Sequence, residues 1–139
     1  MAIKKNNQKN ISKSGIQTAT PDDDLLRFSF KFFDATDGEA CPATFSDGYT
    51  QALMDRLRNL SSWKISEFTG SRSKSIRSHP IKWEETKRPD GFVQLHEQYQ
   101  SYTPYQFSVS VNKHGRVHGF IIGSCFYVVW LDCNHIVYS

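Results

Sequence analysis

Polar side chains that could do acid–base chemistry gather where the last apolar segments of the chain begin and end. Arg116 and His118 alternate along one β-rich run, and Asp132, His135 and Tyr138 follow the next one. In an antiparallel pair joined by a short turn, the start of one strand lies beside the end of the other. Histidine can take or give a proton near neutral pH, and arginine can stabilise negative charge on a phosphate. We therefore expect these side chains to meet at one edge of a sheet.

Each of these residues also has a purely structural interpretation. His118 stands between apolar residues, which equally fits a buried, hydrogen-bonded histidine, and Arg116 fits a residue beside a turn with its charge in water. The spacing Asp132-x-x-His135 also fits a turn in which the carboxylate accepts backbone N–H groups. No spacing demands a metal site from His118, Asp132 and His135, so we predict neither a metal nor another cofactor.

A second group of candidate residues is basic. Residues 71–88 carry six basic side chains against Glu84 and Glu85, with His79 and Trp83 among them. Such a segment is expected to face an anionic partner, although a solvated loop remains the alternative. The predicted nucleic-acid-binding residues are Arg72, Lys74, Arg77, His79 and Lys82, together with Arg27 and Lys31 on the wet face of a predicted first strand.

The apolar patterns predict one α+β domain with a mostly antiparallel sheet and one or two helices on one face. Alternation predicts a strand over residues 26–33, with Leu26 and Phe28 on its buried side. A helix over residues 47–59 would start at Ser46 as its N-cap, and a shorter one over residues 63–69 would end at Gly70. His79-Pro80 is expected to be extended.

The C-terminal third predicts a three-stranded meander, which is the firmest structural expectation. Its strands cover residues 106–111, 116–122 and 125–131, and Gly123-Ser124 forms a two-residue turn between the last two. That turn would pair His118 with Val129 and Arg116 with Leu131. An even loop between the first two strands would place Phe107 on the same face as His118.

Length and composition set the domain organisation. The 139 residues are enough for one domain, and we assign residues 1–24 to a disordered basic arm and residues 25–139 to the folded part. Three cysteines without a C-x-x-C pair favour a reducing cytoplasm over a disulfide framework. No apolar run approaches the roughly 20 residues of a membrane helix, and the first residues lack an apolar signal segment.

The chain resembles small uncharacterised bacterial proteins of mobile elements, over about residues 26–138. The shared places are His79-Pro80-Ile81-x-Trp83, Gln106-Phe107-x-Val109-Ser110, Gly115-Arg116-Val117-x-Gly119-Phe120, and Phe126-Tyr127-Val128-Val129 leading to Leu131-Asp132-x-x-His135. This resemblance implies no function of its own.

A weaker resemblance is to RelE/ParE-like toxins of toxin–antitoxin modules, in the order of strand, helices and meander and in Gly115-Arg116 at the start of the middle meander strand. It implies RNA cleavage without metal, with Arg116 stabilising phosphate charge, His118 or His135 as acid or base, and Tyr138 assisting. The long linker over residues 70–105 and the N-terminal arm depart from that pattern.

Three functions remain open from the sequence. The first is a metal-independent ribonuclease, and the second is an RNA-binding or other nucleic-acid-binding module without catalysis. The third is a protein-binding accessory, such as an inhibitor or antitoxin-like partner whose basic segment faces an acidic protein. The motifs G-x-x-x-x-G-K-[ST], G-x-G-x-x-G, H-E-x-x-H and G-x-S-x-G are absent.

Overall fold

The structure, a computed structural model, describes residues 23–138. The predicted basic arm therefore lies outside the described residues, apart from Asp23 and Asp24. In chain order the elements are β1 (Arg27–Ser29), α1 (Tyr49–Leu60), α2 (Ile65–Gly70), β2 (His79–Pro80), a 3-10 turn (Trp83–Glu85), α3 (Glu97–Gln100), β3 (Pro104–Ser108), β4 (Arg116–Ile122) and β5 (Cys125–Asp132).

The strands form one mixed sheet in the order β1-β5-β4-β3-β2. The strands β2 to β5 pair antiparallel, and only β1 runs parallel to its neighbour β5. The predicted α+β class, the mostly antiparallel sheet and the C-terminal meander are confirmed. The turn at Gly123-Ser124 is also confirmed, with Gly123 at a φ of 63° and Ile122 opposite Cys125.

The two faces of the sheet are covered differently. On the first, which we call the helix face, Phe107 and Phe126 pack against Phe68 of α2 and Phe28 of β1. On the second, which we call the loop face, Trp130 packs against Trp83 and Phe92 from the segment between β2 and β3. Helix α1 buries Tyr49, Leu53, Leu57 and Leu60 in the core.

The predicted first strand over residues 26–33 is wrong in length. Strand β1 ends at Ser29, and the N–H of Phe33 bonds to the carbonyl of Phe30 in a turn that leaves the Phe30 ring 50% exposed. Phe32 then packs on the loop face, with its ring centroid 5.7 Å from that of Phe120. The alternating phenylalanines therefore serve different surfaces instead of one strand face.

Both predicted helix ends need correction. The N-cap of α1 is Gly48, whose φ of 81° is a left-handed conformation that glycine adopts at low cost, so Ser46 does not cap it. Gly70 is the last residue of α2 and has no positive φ, and Ser71 occupies the C-cap. The predicted extended conformation of His79-Pro80 is confirmed as β2.

The predicted cross-strand pairs at the chemically interesting end are also wrong. Strand β3 covers Pro104–Ser108 instead of residues 106–111, and the register between β4 and β5 shifts between His118 and Gly119. His118 therefore pairs with Trp130, whereas Gly119 pairs with Val128, so Val129 is an extra, bulged residue. Gln106 lies opposite His118 and Phe107 lies opposite Val117, so Phe107 is on the other face from His118, contrary to the prediction.

Candidate functional site

Two rows of polar side chains cross the loop face. One row runs through His79, Gln106, His118 and Trp130, which are successive cross-strand partners from β2 to β5. The neighbouring row runs through Ser108, Arg116 and Asp132 in the same way. Cross-strand partners share a face, so the sheet brings these side chains together.

The bulge at Val129 makes this arrangement possible. Without the extra residue, alternation along β5 would turn Trp130 and Asp132 toward the helix face. The bulge is fixed by Asp34, whose backbone N–H donates to the carbonyl of Val129 over 2.9 Å. The Asp34 carboxylate in turn accepts a 3.1 Å bond from the indole N–H of Trp130. The sequence pattern gave no sign of this bulge, because every residue of 125–131 suits a strand.

Asp132 organises the turn that follows β5. Its Oδ1 accepts the backbone N–H of Ile136 at 2.9 Å, and its Oδ2 accepts that of Val137 at 2.8 Å. This is the turn interpretation of the Asp132-x-x-His135 spacing, and the structure confirms it. Burial alone would raise the pKa of Asp132, but neighbouring His118 and the two N–H groups outweigh burial, so the pKa is lowered.

His118 is completely buried. Its Nε2 lies 3.5 Å from Oδ2 of Asp132, and neither ring nitrogen has a hydrogen-bond partner among residues 23–138. Burial lowers the pKa of His118, and Asp132 offsets this only in part. The structure thus matches the buried-histidine alternative, although without the hydrogen bonds expected of it, and His118 has no surface with which to touch a substrate.

His79 is also engaged within the protein. Its Nδ1 lies 2.8 Å from the carbonyl oxygen of Pro80, and its Nε2 lies 2.8 Å from the amide nitrogen of Gln106. A ring with Nδ1–H and an accepting Nε2 satisfies both contacts. His79 therefore supports the site instead of lining it.

The open part of the site is a cleft of about 180 Å³ at the Arg116 end of the sheet. Arg77, Lys113, Arg116 and His135 line it, and we call this group the basic cleft. The other lining residues are uncharged, so the lining includes no carboxylate. They are Ser108, Ser110, Val111, Asn112 and Gly115.

Left-handed backbone shapes this cleft. Arg77 has a φ of 50° and His135 a φ of 56°, a region that residues other than glycine rarely adopt. At Gly115 the φ is 67°, and a Cβ atom there would stand 2.0 Å from the carbonyl oxygen of Asp132. Strained conformations of this kind are kept when the surrounding structure enforces them, and they cluster at functional sites.

Helix α1 holds the Arg77 segment in place. The guanidinium of Arg56 donates to the carbonyl of Val109 at 3.1 Å and to that of Ser75 at 2.9 Å, which joins the end of β3 to the segment before β2. The N–H of Ser108 also donates to the carbonyl of Ile76 at 2.6 Å. Arg77 is thus presented from a loop that is tied to the sheet on both sides.

Arg116 is partly buried within the basic cleft, and its guanidinium stacks 5.9 Å from the ring centroid of Tyr138. Burial lowers the pKa of Arg116 and the nearby charge of Arg77 lowers it further, against the opposing effects of Tyr138 and Asp132. Among residues 23–138 the guanidinium donates no hydrogen bond and forms no ion pair. Tyr138 is itself placed by the backbone N–H of Lys82, which donates to its hydroxyl at 3.2 Å.

The other predicted binding residues divide into two groups. Arg72, Lys74 and Lys82 are exposed on the same segment that carries Arg77. Arg27 and Lys31 belong to or follow β1, at the edge of the sheet opposite β2, so they are not brought to the basic cleft. Arg27 instead donates to the hydroxyl of Ser124 at 3.0 Å.

Arg88 is not available to an anionic partner. Its guanidinium binds the carboxylate of Asp37 through two hydrogen bonds and lies 3.5 Å from the carboxylate of Glu39. This hydrogen-bonded partner lowers the pKa of Asp37 to about 2. Arg88 also lies 5.4 Å above the ring of Trp130. The sequence offered no signal for this pair, because 51 residues separate its members.

Sequence reasoning missed Gln106, Ser108 and Lys113 as site residues. An even number of residues was expected between β3 and β4, but the connection has seven, residues 109–115. This odd number pairs Gln106 with His118 and Ser108 with Arg116, and so places both side chains in the site. Among residues 23–138 no group of three His, Cys, Asp or Glu side chains could hold a metal ion. In the same range, no helix has the length and apolarity needed to cross a membrane.

Comparison with known proteins adds no relative to this picture. No family model, no curated protein and no solved structure matches the chain. The resemblances to mobile-element proteins and to RelE/ParE-like toxins stay predictions.

Proposed function

We propose that this domain binds RNA and holds a backbone phosphate in the basic cleft. The observation that carries the proposal is the environment of the Arg116 guanidinium. It is partly buried, it has no hydrogen-bond acceptor among residues 23–138, and the charge of Arg77 in the same cleft lowers its pKa. Partial burial of a guanidinium that has no hydrogen-bond acceptor is costly, and two neighbouring cations repel each other. An anionic ligand removes both costs.

A phosphodiester fits this cleft better than a carboxylate does. Arginine offers a planar fork of donors that matches two phosphate oxygens, and Lys113 adds a point charge from another direction. The hydroxyl of Ser108 lies in the same lining, beside Arg116 in the cross-strand register. A ligand with several oxygens can use donors that arrive from three separate segments.

A polymer of phosphates explains the charge outside the cleft. Arg72, Lys74 and Lys82 are exposed along the segment that presents Arg77, and the sequence carries four lysines and no acidic residue in its first 20 positions. Nucleic-acid binding rests on many such phosphate contacts, each of which releases counterions. A single small anion in the cleft would not account for these basic side chains outside it.

The test is fluorescence anisotropy with a labelled ten-nucleotide single-stranded RNA, measured between 50 and 200 mM salt. We expect the affinity to fall steeply with salt, and Arg116→Met to weaken binding about tenfold and to reduce the slope against log salt by about 1. Arg58→Met is the matched control, because Arg58 is an exposed arginine on α1 whose partner is Asp55 at 3.8 Å. Equal effects of the two substitutions, or affinity that does not depend on salt, would contradict the proposal.

A metal-independent ribonuclease is the second candidate, and the position of His135 favours it. His135 is exposed, lines the basic cleft beside Arg116, and can provide acid–base chemistry close to the bound phosphate. Cleavage through the 2′-hydroxyl needs a group that takes its proton, a group that protonates the leaving oxygen and a cation for the phosphorane. His135, Tyr138 and Arg116 supply these types, whereas buried His118 does not reach a substrate.

Cleavage is tested with the same RNA in the presence of EDTA, followed by analysis of the product ends. We expect a 2′,3′-cyclic phosphate product, loss of cleavage in His135→Ala, and no cleavage of an RNA whose nucleotides lack the 2′-hydroxyl. If the purified wild-type protein binds the RNA and leaves it intact, the catalytic candidate is wrong while the binding proposal stands.

A further inference from the structure

A second cavity lies on the loop face, at the other end of β4 from the basic cleft. Four of the seven residues that line it are aromatic, and two are polar. Its lining includes Trp83, Phe92, Tyr99 and Tyr102 as the rings, with Asp90 and Gln100 as the polar groups. We call it the aromatic pocket.

The rings of this pocket are fixed by contacts with the sheet. Tyr102 is stacked on Phe120 with ring centroids 6.2 Å apart and planes 17° from parallel, yet its side chain is 40% exposed. Trp83 packs edge-on against Phe92 at 4.8 Å. Gly91, with a φ of 70°, lets the backbone lie so close to the Trp83 indole that a Cβ would be 2.8 Å from Nε1. The pocket is therefore built before any ligand enters.

The polar groups of the pocket have unused hydrogen-bonding capacity. Among residues 23–138 the Asp90 carboxylate accepts no hydrogen bond and forms no ion pair, and it is exposed. The Gln100 amide nitrogen donates to the carbonyl of Leu95 at 2.8 Å, which leaves its oxygen free to accept. Acceptors next to open aromatic surface suit a flat ligand that carries donors on its edge.

We propose that the aromatic pocket binds one unpaired guanine of the RNA whose phosphate occupies the basic cleft, an inference that rests on the proposed function. Guanine presents two adjacent donors, N1–H and the N2 amine, which match the two oxygens of the Asp90 carboxylate. Adenine, cytosine and uracil each place an acceptor beside the donor on that edge, and this acceptor would face the negative charge. The rings provide the stacking that every base can use, and Asp90 provides the choice among bases.

The distance between the two sites fits one RNA strand. Arg116 lines the basic cleft, and Tyr102 of the aromatic pocket is stacked on Phe120. Arg116 and Phe120 are four residues apart on β4 and point to the same face, since the bulge lies on β5 and not on β4. At about 3.3 Å per residue this separation is roughly 13 Å. Stacked nucleotides rise about 3.4 Å each along a strand, so about four of them span the two sites, and fewer are needed in an extended strand.

The experiment compares four labelled ten-nucleotide RNAs that differ at one central position. One is uridine throughout, and the others carry a single guanosine, adenosine or inosine. We expect the guanosine RNA to bind about tenfold more tightly than the others, because a bidentate contact discriminates by about that factor or more. Inosine keeps N1–H and lacks the N2 amine, so its RNA should lose most of this preference.

Variants connect the preference to the pocket. Asp90→Asn replaces one accepting oxygen by a donor and removes the negative charge that faces uracil. We therefore expect it to abolish the preference for guanosine and to bind the all-uridine RNA no more weakly than the wild type does. Asp55→Asn removes an exposed carboxylate from α1 and is the matched control, which should keep the preference. Equal affinity for all four RNAs, with the sensitivity to Arg116→Met retained, would overturn the guanine pocket alone. If none of the four RNAs binds in a salt-dependent way, the proposed function itself is overturned.

Discussion

The imidazole of His118 faces the carboxylate of Asp132 inside the sheet, with Nε2 3.5 Å from Oδ2 and almost no exposed surface on either side chain. The two groups are treated differently by their surroundings. Asp132 receives two backbone N–H groups, whereas neither nitrogen of His118 is hydrogen-bonded among the described residues. The carboxylate is therefore stabilised as an anion, and burial keeps the histidine neutral.

This pair predicts that acid weakens the fold well above the range in which carboxylates titrate. The pKa of His118 is lowered in the folded protein, so the unfolded chain binds a proton that the folded chain refuses as the pH falls through about 6.5. The stabilisation is present above that pH and is lost below it, by at most about 1.4 kcal/mol per pH unit. Urea unfolding at pH 7.5, 6.5 and 5.5 measures this dependence.

The matched variant for this prediction is His118→Phe, which replaces the imidazole by an aromatic ring that does not titrate. Its free energy of unfolding should change less between pH 7.5 and 5.5 than that of the wild type. If the two proteins lose stability in parallel, His118 is not the group responsible.

The contact between Arg88 and Asp37 predicts a second, separate acid transition. Arg88, together with the backbone N–H groups of Ala40 and Glu39, lowers the pKa of Asp37 to about 2, from an ordinary value of 3.8. The Asp37 carboxylate and these partners therefore stabilise the fold above pH 3.8 by about 2 kcal/mol, and this stabilisation is lost toward pH 2. Asp37→Asn should remove this stabilisation at pH 7, as measured by urea unfolding. Glu39→Gln is the control, because Glu39 is 79% exposed and should change the unfolding free energy by less than about 1 kcal/mol.

Gly115 is predicted to tolerate no side chain. A Cβ there would lie 2.0 Å from the carbonyl oxygen of Asp132, in a backbone conformation with a φ of 67°. We expect Gly115→Ala to lower the free energy of unfolding by more than about 2 kcal/mol, since both a steric overlap and backbone strain are introduced. Gly38→Ala should be nearly neutral when both variants are measured by urea unfolding, because nothing lies within 4 Å of its added Cβ. Similar losses for both variants would contradict the geometry at Gly115.

Arg56 is predicted to act on the basic cleft without lining it. Arg56→Met removes the hydrogen bonds to Val109 and Ser75, and we expect a loss of about 1–3 kcal/mol of stability. The backbone N–H of Ser108, which bonds to Ile76, should then exchange faster with deuterated water. RNA affinity should fall through misplacement of Arg77, and Arg58→Met should leave both measurements unchanged. Unaltered exchange at Ser108 would show that the segment is held by other contacts.

The sequence was sufficient for the parts of the fold that depend on local pattern. Strand β4 was predicted to the residue, and helix α1 within two residues of its start and one of its end, because alternation and helical spacing of apolar residues reflect one-sided burial. The gathering of Arg116, His118 and Asp132 at one end of the sheet was also expected, although without the bulge Asp132 would lie on the opposite face from the other two. It follows from a meander whose middle strand begins where the last strand ends.

The remainder could not be predicted, because it depends on contacts between distant segments. The bulge at Val129 is supported by the N–H of Asp34, and no pattern within residues 125–132 reveals that partner. Whether His118 is open or buried depends on the segment that carries Trp83 and Phe92, which has no regular periodicity. The aromatic pocket was missed for the same reason, since its rings come from turns that only the folded chain brings together.

The parallel pairing of β1 with β5 also has a consequence for synthesis on the ribosome. Arg27 and its partner Ser124 are 97 residues apart, and the basic cleft takes residues from Arg77 through His135. A growing chain can form α1 and α2 early, but it lacks both the sheet's last strand and the cleft until that strand has been translated. If the domain acts on RNA as proposed, the nascent chain stays inert toward the messenger that encodes it until β5 and His135 have been synthesised.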